Sequence, residues 1–97
     1  MGYKSEKNYF VLRACLEFIM HQHIDSAKYL METFWTEPDE SGRLFLNLVR
    51  FVIEGCERKD VEILKAVKAK YARLLARDPS LNNYLHQIAV RHTKKGL

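Results

Sequence analysis

Apolar residues recur at three- and four-residue spacing through most of this chain, which is the pattern of helices that each turn one face inward. The first run spans about Ser5 to Met20. Phe10, Val11, Ala14, Cys15 and Phe18 make one face, and Leu12, Leu16 and Ile19 widen it. A helix this broadly apolar meets neighbours on more than one side. Ser5 is its expected cap, with Glu6 close to the positive helix end. The second run, roughly Asp25 to Trp35, sets Ala27, Leu30, Met31 and Phe34 on one stripe behind a cap at Asp25. TEPDESG, Thr36 to Gly42, then reads as the main loop, because its proline, acids and glycine all have local reasons to leave a helix.

The third run, about Arg43 to Cys56, is the most hydrophobic. Leu44, Phe45, Leu46, Leu48, Val49, Phe51, Val52 and Ile53 cover most of its circumference, interrupted by Asn47 and Arg50. Such a helix is either central or carries a spare apolar face that a partner covers. The fourth, about Asp60 to Ala76, buries Ile63, Leu64, Val67, Tyr71, Leu74 and Leu75. Alanines at 66, 69, 72 and 76 favour helix and permit close approach. Asp60 is its expected cap. The last helix opens at Asp78-Pro79, a cap followed by the one helical position where a missing N–H costs nothing. Leu81, Tyr84, Leu85 and Ile88 follow on one face, His92 continues the spacing, and Gly96 marks the expected stop. The pattern predicts an all-α single domain over residues 1–97, about five antiparallel helices.

Composition sharpens this picture in two places. With four glycines and two prolines in 97 residues, helices and short turns are favoured over strands. Residues 1–57 carry six Lys/Arg and nine Asp/Glu, a balance of −3, whereas residues 58–97 carry ten and three, a balance of +7. The second half can therefore attract an acidic partner that the first half does not. Three readings of Lys65, Lys68, Lys70, Arg73 and Arg77 follow: a solvated helix face, a surface for an acidic protein segment, or a set of phosphate contacts. No nucleic-acid-binding signature accompanies them.

Candidate chemistry is sparse. His21 and His23 sit two apart, which is not a shared helix face, and no cysteine or carboxylate follows at metal-ligand spacing. His86 and His92 are six apart, again a poor shared face. Glu54 and Glu57 share a face, but acids near a helix end are ordinary surface groups. No phosphate-binding glycine loop or strand–turn–helix nucleophile is present. Cys15 and Cys56 stand alone inside apolar patterns and read as buried free thiols. No run is long and apolar enough to span a membrane, and the opening MGYKSEKNYF lacks the apolar core of a secretory leader. Neither a cofactor nor catalysis is expected.

Four pieces in order, GYKSEKNYF (2–10), ACLEFI (14–19), LFLNLVRFVIE (44–54) and KAKYARLLARDPSLNNYLHQIAVRH (68–92), resemble the Golgi-to-ER traffic scaffold family of tail-anchored-protein sorting. The aromatic-led Tyr71–Leu75 followed by RDPSLNNYLHQIA is the most specific. The resemblance covers nearly all of this chain and about the last third of a usual member. It implies the C-terminal part of a longer right-handed alpha-solenoid that works as a non-enzymatic bridge in the cytosol. The partner it implies is the N-terminal segment of a ubiquitin-like-domain adaptor, with a large chaperone subunit as a further one. The targeting ATPase, held by the other half of the family, is not expected to bind here. In some fungal relatives a β-hairpin insertion serves adaptor binding, and WTEPDESGR has no such strand pattern.

The apolar positions themselves suggest a surface. Leu46, Val49, Phe51 and Ile53 on the third helix, with Tyr84, Leu85 and Ile88 on the last, are expected to frame a partner groove, or else to close the intrachain core. Tyr84 can bury its ring while its hydroxyl reaches a rim hydrogen bond. Lys68, Arg73 and Arg91 are the cations expected to guide an acidic segment. Phe10, Leu12, Phe18 and Ile19 are expected to leave the first helix open to another helix or a second copy, so the chain is read in two other ways as well: a self-associating helical domain and a basic nucleic-acid-binding module.

Overall fold

Two of the helices are capped by the residues the sequence places there, Asp60 and Asp78. The computed structural model describes residues 3–37 and 39–94. The described residues form six helices and no strand: α1 Tyr3–Met20, α2 Ile24–Phe34, α3 Glu40–Arg58, α4 Val61–Lys70, α5 Ala72–Arg77 and α6 Pro79–Thr93. The all-α class holds. Asp60 accepts from Glu62 N at 3.0 Å, and Asp78 accepts from both Ser80 N (3.1 Å) and Ser80 Oγ (2.6 Å), as N-caps do.

Four local expectations are corrected. Ser5 lies within the first turns of α1 rather than before them, and Asp25 lies inside α2, whose N-terminal flank is His23 without a side-chain cap. The main loop is shorter than TEPDESG, because Asp39 caps α3 through Gly42 N at 2.7 Å and draws residues 40–42 into the helix. The fourth predicted helix is two, α4 and α5, divided at Tyr71 (φ −106°, ψ 26°). Tyr71 N still donates to Val67 O at 2.9 Å, and its carbonyl accepts from Leu75 N at 3.0 Å. The chain therefore bends there while keeping these two bonds, and Tyr71 is buried in the core. The expected stop at Gly96 lies outside the described residues, and α6 ends earlier, at Lys94 in the left-handed region.

Two tight connections turn the chain back on itself. At Gln22 (φ 65°) the N–H bonds Ile19 O, and His23 N reaches Phe18 O at 2.7 Å. At Lys59 (φ 54°) the N–H bonds Cys56 O, and Asp60 N reaches Gly55 O at 2.9 Å. Both are left-handed C-terminal closures of the Schellman type, here without glycine. They produce two hairpins, α1–α2 and α3–α4. The hairpins meet through α1 and α3, and α6 lies across α1 and α4.

That last contact departs from a solenoid, in which each repeat touches only its neighbours. Here α6 returns to the first helix. His92 Nε2–H donates to Ile19 O across the seam at 2.7 Å, so the residue that continues the apolar spacing of α6 is held against α1. The core runs through Leu12, Leu16, Leu48, Val52, Leu64 and Leu81, all fully buried. At one edge Trp35 Nε1 donates to Asn8 Oδ1 (3.0 Å) and Asn8 Nδ2 to Asp39 Oδ1 (3.3 Å), tying α1 to the capped start of α3. Lys28 and Glu57 pair at 2.9 Å between α2 and α3.

Candidate protein-binding groove

The helix read as either central or carrying a spare apolar face is only partly hidden. Phe45, Leu48, Val49, Val52, Ile53 and Cys56 of α3 enter the core. Leu44 and Phe51, seven residues apart and hence on one stripe, remain exposed at 44% and 38%. Phe51 forms one wall of a groove of about 230 Å³ between α3 and α4. Glu54 completes that wall, and Ile63, Ala66, Val67 and Lys70 line the other. The α4 residues recur at three- and four-residue spacing, so one helix face supplies them all. Ala66 keeps the groove open because it is small.

The two helices can come this close because α3 carries a glycine at the crossing. A Cβ on Gly55 would stand 2.9 Å from Leu64 Cδ2 and 3.3 Å from Ile63 Cγ2. Beyond Lys70 a second depression, lined by Leu44, Ala69, Arg73 and Leu74 among others, continues along α4 and α5. Lys70 belongs to both. Its ammonium stands 5.1 Å from the centre of the Phe51 ring and 5.8 Å from that of Tyr71, within cation–π reach. Glu54, the acid in the groove, pairs with Arg58 at 3.4 Å.

The sequence-derived surface is rearranged by this packing. Val49, Leu85 and Ile88 are completely buried and Ile53 nearly so, which makes them core residues rather than partner contacts. Leu85 and Ile88 belong to the face of α6 that packs against its neighbours, among them α1, α3 and α4. Leu46 and Tyr84 are half-buried against the core. Lys68 and Arg91 are exposed but do not line the groove. Phe51 lies in it, and Arg73 borders its continuation. Sequence reasoning named Lys70 among the cations open to an acidic partner, but did not place Leu44, Ile63 or Ala66 at a binding surface. The seven-residue interval from Leu44 to Phe51 and the alanines of α4 were the available signals.

Elsewhere, the first helix is less open than its pattern suggests. Phe10 and Phe18 are exposed, but Leu12 and Ile19 are fully buried. His21 and His23 border a depression with Ala14, Glu17 and Phe18. Among the described residues no three His, Cys, Asp or Glu side chains converge as a metal site. No described helix is long and apolar enough to cross a membrane. Cys15 and Cys56 are buried free thiols, each pushed up to about 12 by burial, with the charge of Glu57 adding to the effect at Cys56.

Fold and groove together define an all-helical module with an apolar seam open between two of its helices. The chain belongs to the Golgi to ER traffic protein 4 family, whose model matches residues 1–93. It is 30% identical over 93 residues to Golgi to ER traffic protein 4 homolog B of Xenopus laevis and to the homolog of Xenopus tropicalis. It is 29% identical to the homolog of Gallus gallus over the same length. Each match covers 90% of this chain, but only 29% of the Xenopus relatives and 30% of the Gallus relative. The chain thus spans under a third of the length of these relatives. No solved structure matches it.

Proposed function

We propose that this chain is a non-enzymatic scaffold segment of cytosolic tail-anchored-protein sorting that holds the N-terminal segment of a ubiquitin-like-domain adaptor. The observation that carries the reading is the family match across residues 1–93. The resemblance assigns adaptor binding to the C-terminal part of the family's scaffold, the part these residues correspond to. Contact with a large chaperone subunit belongs to the same reading, and binding of the targeting ATPase does not.

The apolar groove on α3 and α4 supports a binding role in physical terms, since exposed aromatic and aliphatic side chains around a concave seam are what partner anchors fill. Calorimetric titration of the adaptor's N-terminal segment into the folded chain tests the reading. Saturable one-to-one binding that an unrelated DNA duplex does not compete away is the expected result. Absence of heat and of spectral change at saturating adaptor overturns it, and displacement of the adaptor by the duplex returns the chain to the nucleic-acid class. Sedimentation in the same buffer reads out the self-associating alternative, which predicts a concentration-dependent mass.

A further inference from the structure

The charge around the groove is one-sided. From Ile63 to Arg77 the chain carries Lys65, Lys68, Lys70, Arg73 and Arg77 and no acid. Their helical positions divide them. Lys70 and Arg73 border the two linked depressions, whereas Lys65 and Lys68 line neither, and Lys65 is paired with Glu62 at 3.5 Å. The only groove carboxylate, Glu54, already has Arg58. Among the described residues no carboxylate pairs with Lys70, which rests instead over two aromatic rings. The uncompensated charge at this apolar seam is therefore positive.

We propose that the α3–α4 groove takes an acidic amphipathic helix of a partner protein, with apolar anchors seated among Phe51, Ile63, Ala66 and Val67 and a carboxylate meeting Lys70. This deepens the protein-binding reading and rests on it for the occupant being a protein. A helix fits better than a strand because the walls are themselves helices, so no backbone donors or acceptors stand free for a strand to pair with. The run from Ile63 to Lys70 is about 10 Å long at 1.5 Å per residue, room for roughly two turns of a guest helix. Phosphates are poorly served, because of the five basic residues only Lys70 lines the seam, whose walls are otherwise mostly apolar.

The test uses two helix-stapled peptides with the same leucines at i, i+4 and i+7. One is flanked by glutamates and the other by lysines. Each is titrated into the labelled full chain and followed by amide chemical shifts. The glutamate peptide is expected to shift Phe51, Ile63, Ala66, Val67 and Lys70, and to bind about tenfold more tightly than the lysine peptide. Lys70→Glu, an exposed change that leaves the core intact, is expected to reverse that preference. Ala66→Trp, also on the exposed side of α4, is expected to fill the groove and remove both interactions while helicity stays constant. Shifts centred elsewhere, equal affinities, or a preference unmoved by Lys70→Glu overturn the proposal. A parallel titration with the adaptor segment separates the two claims. Adaptor binding without peptide seating sinks the groove assignment alone, and peptide seating without adaptor binding sinks the scaffold reading alone.

Discussion

Gly55→Ala sets two known effects against each other. In a helix interior alanine is favoured over glycine by about 1 kcal/mol, so on propensity alone the variant gains stability. The structure opposes this, because the new methyl would lie 2.9 Å from Leu64 Cδ2 and 3.0 Å from Leu64 Cγ. Leu64 is fully buried and Ile63 Cγ2 is 3.3 Å away on the same side, so Leu64 cannot swing clear without disturbing its neighbours. Forcing an extra methyl into a packed seam costs about 1–3 kcal/mol. The expected net is a loss of about 1 kcal/mol, or roughly 4–8 °C in Tm for a domain of this size. Thermal and urea unfolding followed by circular dichroism measure it. Repeating the substitution in a Leu64→Ala background isolates the cause, since removing the opposing atoms should turn the loss into a gain. A higher Tm with Leu64 in place, or the same loss in both backgrounds, refutes the close approach.

Lys59→Gly should raise stability by about 1 kcal/mol, because Lys59 holds a left-handed conformation that glycine adopts without strain; an unchanged urea midpoint would count against it. Leu85→Ala should cost about 2–5 kcal/mol of folding stability, the signature of a core residue, whereas loss of partner affinity at full stability would return Leu85 to the surface. Cys15 and Cys56 should resist iodoacetamide in the folded chain and react in denaturant, read by mass. Their raised values also give stability a direction with pH. It is intact below the ordinary thiol value of 9.0 and falls as pH rises toward about 12, where the unfolded chain ionises first; a flat urea midpoint across that window contradicts it.

The helices were legible because their signals are local. Asp60, Asp78-Pro79 and the three- and four-residue apolar spacing act within a turn or two and need no tertiary information. The bend at Tyr71 was not, since neither proline nor glycine marks it and Tyr71 is buried among residues distant in the chain. The site was half legible for the same reason. Period identifies that α3 is apolar all round, but which arc stays open depends on where α4 and α6 fall. Packing gave α6 to the core with Leu85 and Ile88, and left Phe51 beside α4. Gly55 shows the limit well: a glycine inside a helix reads as a weak point, and only the position of Leu64 reveals it as a point of contact.

The bond from His92 to Ile19 joins residues 73 apart in sequence. A row of stacked repeats can fray from either side, one unit at a time, because each unit leans only on the next. With α6 laid on α1 the row is closed into a ring of contacts, and neither helix can peel away without opening the other's seam. Amide exchange in α1 and α6 should consequently slow and quicken together as denaturant is added, as one cooperative unit rather than two independent edges. A guest helix in the groove between α3 and α4 would then be held by a frame that yields all at once or not at all.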